Sequence, residues 1–192
     1  TVIEDVSTTL QAFLKPVLDG LATPKVDDLD NPPDGSSPTL TLFLYDIVED
    51  PNLRNRPVMR TPAPPSSGPL QVKVQKPPMA LILRYMMTPW AGTTLEEHEM
   101  IGRVLEVFYD HTTLSGPHLQ ETSLANTDQV LRISLLPIEL DNRARIWEAI
   151  EKPYRLSINY EVRVVQIDSR HAHDVPAVTE QFIHPALATG AP

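Results

Sequence analysis

The side chains of this sequence with chemistry to offer are six histidines, several aspartates close together and scattered serines. His98-Glu99-Met100-Ile101-Gly102 opens like a zinc-protease helix, in which two histidines four residues apart share a face and hold the metal. Gly102 stands where the second histidine would have to be, so His98 is read as a structural, hydrogen-bonded residue on the buried side of its helix. His171 and His173 share a face of an extended chain, the spacing of a metal pair, but no third histidine is near and both are read as surface residues. Asp27, Asp28, Asp30 and Asp34 have the density of a calcium loop. Such a loop needs a bidentate Glu at its twelfth position, and counting from Asp27 gives Pro38, so a solvated acidic loop is expected. The glycines at 20, 35, 68, 92, 102, 116 and 190 lack the spacing that cradles a phosphate. No serine sits in a G-x-S-x-G turn, and with no cysteine there is no disulfide, thiolate metal site or cysteine nucleophile. The residues point to no catalytic, cofactor-binding or metal site.

Bulk composition narrows the partners. Sixteen basic against 25 acidic residues give a net charge of −9, which argues against a nucleic-acid partner, since such proteins neutralise phosphate. No apolar run approaches the roughly 20 residues of a membrane helix, and Thr1-Val2-Ile3-Glu4-Asp5 does not read as a signal peptide. At 192 residues, one domain is expected.

The elements that would position these residues are punctuated by proline. Thirteen of the 20 prolines lie in residues 16–78, marking a turn-rich connection at 31–38 and a long Pro-rich loop at about 56–78. Val2, Val6, Leu10, Phe13, Leu14, Val17, Leu18 and Leu21 predict an amphipathic helix over 2–21, with Pro16 kinking it or starting a second segment. Residues 39–48 read as a strand, and 79–87 as a strand buried on both faces. Residues 70–74 alternate and read as an edge piece. Thr94 and Glu97 predict a capping box for a helix to about 111. Residues 130–136 read as a strand and 139–150 as a helix with Leu140, Ala144, Ile146, Trp147 and Ile150 inward. Residues 155–168 read as the last long strand. The order α-β-β-α-β-α-β predicts an α/β (α+β) fold, a single domain over 1–168 with a mixed four-stranded sheet packed by helices. Residues 169–192 are expected to be a weakly structured C-terminal tail. Trp147 reads as core, and Trp90, at a strand exit, as a part-exposed interface anchor.

Four blocks, taken in order, carry a resemblance: Tyr45-Asp46-Ile47-Val48-Glu49-Asp50-Pro51-Asn52-Leu53-Arg54-Asn55; Leu83-Arg84-Tyr85-Met86-Met87-Thr88-Pro89-Trp90-Ala91 with Glu97-His98-Glu99-Met100-Ile101-Gly102; Ile146-Trp147-Glu148-Ala149-Ile150; and Pro153-Tyr154-Arg155 through Val162. Together they resemble the cap (tail-terminator) proteins of phage-tail-like contractile injection systems, over about residues 1–168. The resemblance implies a structural protein and not an enzyme. It implies a hexameric ring that seats on the contractile sheath and the inner tube, or on a tube-terminating protein, and stops both from growing. It implies assembly in the bacterial cytoplasm and then residence in an extracellular or cytoplasmic particle.

Two contact elements follow as expectations. Leu53, Arg54, Asn55 and Arg56, with the Pro-rich continuation, are expected to reach a neighbouring subunit. The tail, whose apolar patch is Gln181-Phe182-Ile183, is expected to dock through Phe182 and Ile183 on sheath or the next protomer. The rival readings are a small hydrolase with a dispersed active site and another tail-end part such as a neck or tube-end protein.

Overall fold

The computed structural model describes residues 1–62, 71–119, 124, 130–167, 169 and 172–176. Helix α1 (Val2–Val17) is followed by β1 (Thr23–Val26), β2 (Thr39–Glu49), β3 (Met59–Pro62), β4 (Gln71–Gln75), β5 (Met79–Trp90), α2 (Thr94–Asp110), β6 (Thr113–Ser115), β7 (Val130–Leu135), α3 (Leu140–Ala149), β8 (Ile158–Ile167) and β9 (Ala172–Pro176). The chain forms two compact units, Thr1–Asn55 with Met79–Ile167, and Arg56–Pro78 with Asp168–Pro192.

In the first unit six strands make one mixed sheet in the order β1-β2-β5-β8-β7-β6, with β1 parallel to β2 and the other pairs antiparallel. The expected α+β class holds, and the four long strands sit together at its centre. The strand number is corrected from four to six in this sheet. The additions, β1 with its Pro24 and the three-residue β6, are too short to show an alternation.

Register explains which residues reach the core. Between Leu44 and Asp46 β2 carries an extra residue against Tyr85 and Arg84, and between Val162 and Val165 β8 does so against Leu83 and Leu81. Each bulge shifts the alternation by one, so Val162 and Val165 are both fully buried. Strand β5 runs past the expected end at Met87 and includes Pro89. That is tolerated because β8 pairs β5 only as far as Met87, which leaves Pro89 a neighbour on one side alone.

Helices α1 and α2 cover one face of the sheet. Val6, Leu10, Leu14 and Leu18, spaced by four, pack with Val104 and Phe108 onto Leu40, Leu42, Leu83, Tyr85, Met87 and Val162. Helix α1 ends at Val17, one residue after Pro16, and is a single helix. The chain then turns, helped by the left-handed φ of 74° at Gly20. The other face holds a smaller cluster of Leu29, Met86, Trp90 and Trp147. Only Trp147 of α3 is buried. Ile146 and Ile150 are half-buried and Leu140 and Ala144 exposed, so the inward face expected for this helix is narrower than its apolar residues suggest.

In the second unit β4 is the central strand, antiparallel to β3 on one side and β9 on the other. Gln75 Nε2 donates to the Ser169 carbonyl at 2.7 Å. The segment read as a Pro-rich loop thus contributes two strands, and the segment read as a weakly structured tail contributes the third. Residues 70–74, read as an edge piece, supply most of the central strand.

Candidate contact surfaces

Four residues from the quoted blocks meet at the end of β5. The Trp90 indole N–H donates to Thr41 Oγ1 at 2.9 Å, and its ring meets that of Trp147 edge-on, centroids 6.5 Å apart. The Arg155 guanidinium lies 4.5 Å over the Trp90 ring and pairs with the Glu97 carboxylate. Glu97 is available because the capping box falls one residue earlier than the sequence suggests. Thr93 takes the extended N-cap conformation and its hydroxyl accepts from Glu96 N at 3.3 Å. Glu96 Oε2 in return accepts from Thr93 N at 3.1 Å. Trp90 is 6% exposed. The expectation of a part-exposed anchor is corrected: the indole is used up inside the subunit.

A charged row crosses the same sheet face. Arg84 Nη1 donates to Asp46 Oδ2 at 2.8 Å, Arg84 is the register partner of Glu161, and Arg163 Nε donates to Glu161 Oε1 at 2.8 Å. Cross-strand pairs of opposite charge hold register, since a one-residue slip would move the side chains to the other face and part the charges. On the opposite face the Tyr85 hydroxyl and Ser7 Oγ lie 2.8 Å apart, tying α1 to the central strand. Burial pushes the Tyr85 phenol up to about 12, against the smaller opposing effect of Ser7.

The residues with catalytic or metal-binding potential do not converge. His98 is exposed and not on the buried side expected for it. His173 lies in β9, while His171 is outside the described residues, as are Phe182 and Ile183. The aspartate loop is organised by its own turns: Asp27, Asp28 and Asp34 carboxylates accept from the N–H of Leu29, Asp30 and Ser36. Leu29 anchors the loop in the small cluster, and a Cβ on Gly35 would come within 2.7 Å of the Ala91 carbonyl oxygen. Among the described residues no group of three or more His, Asp or Glu is placed to hold a metal. No helix among them is long and apolar enough to cross a membrane.

The expected contact loop is at the surface. After a short 3-10 turn at Pro51–Leu53, Arg54, Asn55 and Arg56 are exposed and Leu53 is half-buried. Arg54 pairs with Glu49 at 3.3 Å while its side chain stays 70% exposed. Elsewhere an open groove of about 510 Å³ runs between α2 and the end of β7.

Over residues 2–181 the sequence matches the family described as the Pvc16 N-terminal domain. The chain belongs to that family. The fold of this Pvc16 N-terminal domain is similar to the sheath/tube terminator, in its extended state, of PVC, an extracellular contractile injection system. The TM-score is 0.61 and the identity 23%, over 96% of this chain and 64% of that one. It is also similar to the tube-terminating cap of the anti-feeding prophage, with a TM-score of 0.64 and 18% identity over 93% of this chain and 60% of that one. The chain therefore spans a little under two thirds of the length of either protein. A comparison with curated proteins returns no match. The resemblance read from the sequence is borne out at the level of the family. Within the Pvc16 N-terminal domain much of what carries it, Trp90, Glu97, Trp147, Arg155, Arg84 and Glu161, forms networks inside the first unit. These residues define the fold. Of the quoted residues, Arg54 and Asn55 are exposed, as are Ile47, Tyr154 and Leu156 elsewhere in the blocks.

Proposed function

We propose that this domain ends the growth of the inner tube and contractile sheath of a phage-tail-like injection particle, as one subunit of a hexameric ring. The observation that carries this reading is the fold, shared along nearly the whole chain with two proteins described as terminators. The physical logic is that tube and sheath are open helical polymers, each addition presenting again the surface that accepts the next subunit. A closed ring that covers this surface and offers none like it stops the polymer. On this reading the protein is a structural part without enzymatic chemistry. Its partners are its own copies, the sheath protein and the tube or a tube-terminating protein, with no role for nucleic acid or membrane. It is assembled in the bacterial cytoplasm and then carried on the particle.

Two features supply contacts. The Arg54–Glu49 pair is solvent-exposed and such pairs contribute only ~0–1 kcal/mol, so Arg54 can exchange Glu49 for a neighbour's acid at little cost. The outer edges of β3 and β9 have no strand beside them among the described residues, which suits strand addition from a neighbour. The test is electron microscopy of particles assembled with and without the chain. Without it, tubes and sheaths of scattered length are expected. Restoring it should return a uniform length and six-fold density at the end away from the baseplate. Particles of normal, uniform length in its absence would overturn the proposal.

A further inference from the structure

The groove between α2 and β7 has walls of Leu105, Phe108, Tyr109, Ile133 and Leu135, with Tyr160 also lining it. Two of these are unusually open for apolar side chains: Tyr109 is 84% exposed and Leu135 52%. Tyr160, by contrast, is 3% exposed.

The strand edge beside the groove is also incomplete. β6 pairs β7 only from Val130 to Arg132, and Ile133 N donates outward to the Thr112 carbonyl. Leu136 N points the other way, to the Asn159 carbonyl of β8. Backbone groups alternate in direction along a strand, so the Leu135 N–H and C=O face outward, past the point where β6 has given way to α2. Among the described residues the sheet stops short here while an apolar trough continues along it.

We infer that this groove takes an extended strand of another protein, carrying bulky apolar side chains at alternate positions and no acidic residue. The incoming backbone continues the ladder at Leu135, and every second side chain enters the trough. Charge sets the last condition: the carboxylate lining the groove is Glu106, and Asp110 follows on the same helix, both exposed. An acidic segment is repelled and a basic one is favoured. The inference stands apart from the proposed function, because it needs only the first unit's own geometry.

The test is fluorescence anisotropy of the full chain with a labelled model strand, Lys-Thr-Phe-Thr-Ile-Thr-Lys. Saturable binding is expected, weakened about 10-fold by Leu135→Asp and by Tyr109→Ser. Both Leu135 and Tyr109 are exposed, so these variants should keep the fold. Methylation of the central peptide nitrogen should weaken binding as well, which an apolar contact without ladder bonds would not produce. Absence of binding overturns the inference, as does binding indifferent to Leu135→Asp and Tyr109→Ser. Stronger binding of a peptide of this chain's own residues 177–188 also overturns it, and would make the groove an interface between copies.

Discussion

Single phenols in this fold have a measurable consequence. Burial pushes Tyr85 up to about 12 from an ordinary 10, so between these values the folded chain holds a proton that the unfolded chain releases. The stability this represents is complete below pH 10 and is lost as pH rises toward 12, on the order of 2 kcal/mol. Tyr160 is raised to about 12 by burial and adds in the same direction. Denaturation midpoints are therefore expected to fall steeply above pH 10, and Tyr85→Phe should flatten that fall. At neutral pH the same variant should cost about 1 kcal/mol, the net worth of the Ser7 hydrogen bond. An alkaline profile unchanged by Tyr85→Phe would remove Tyr85 as its cause. Little of this was legible beforehand: Tyr85 could be placed in a buried strand, but its partner lies 78 positions away. Trp90 shows the same limit. A tryptophan at a strand exit suits an interface, and only the positions of Thr41, Arg155 and Trp147 reveal that its polar edge and both neighbouring surfaces are already occupied.

Elements were legible in proportion to their length and periodicity. Strands β2, β5, β7 and β8 and helices α1 and α2 announce themselves by many residues each. β1, β3, β6 and β9 offer three to five residues and, except in β6, a proline. The start of α2 is a case where two registers read equally well. Thr93-x-x-Glu96 and Thr94-x-x-Glu97 both fit a capping box, and the choice falls to the tertiary demand that Arg155 makes on Glu97. The two threonines then part company experimentally. Thr93→Ala should destabilise the domain by about 1 kcal/mol, the usual cost of a lost N-cap, while Thr94→Ala, inside the first turn, should be near neutral. Urea denaturation of both variants decides it: the reverse order would place the cap at Thr94, and an equal effect would remove Thr93 as the sole cap. Glu97→Gln should cost more than Thr94→Ala, since it removes the charge that Arg155 faces over Trp90.

At the scale of the whole molecule the sequence suggests two independent arms, and the second unit makes them one. A Pro-rich stretch between strands and a tail beyond the last strand give no hint of each other, because their pairing spans about a hundred residues. Yet β4 is held by β3 on one side and β9 on the other. An isolated two-stranded ribbon is marginal in water, so removing either outer strand should dismantle the sheet as a unit. Deleting residues 58–69 or 171–192 is therefore expected to impair particle capping at the same step and to a similar degree. A single substitution in the middle strand, Val74→Pro, should reproduce both, because proline removes a donor from the ladder and restricts the residue before it. The first unit carries its own core of Leu10, Leu14, Leu42, Leu83 and Val162, so its unfolding free energy in Val74→Pro should stay within about 0.5 kcal/mol of the parent. Near-ultraviolet circular dichroism, to which Trp90 and Trp147 of the first unit contribute, checks that this core is intact before capping is scored. If instead the two deletions stop assembly at different stages, or Val74→Pro still terminates particles at normal length, the strands act as separate contacts and the three-stranded sheet is not the assembling element.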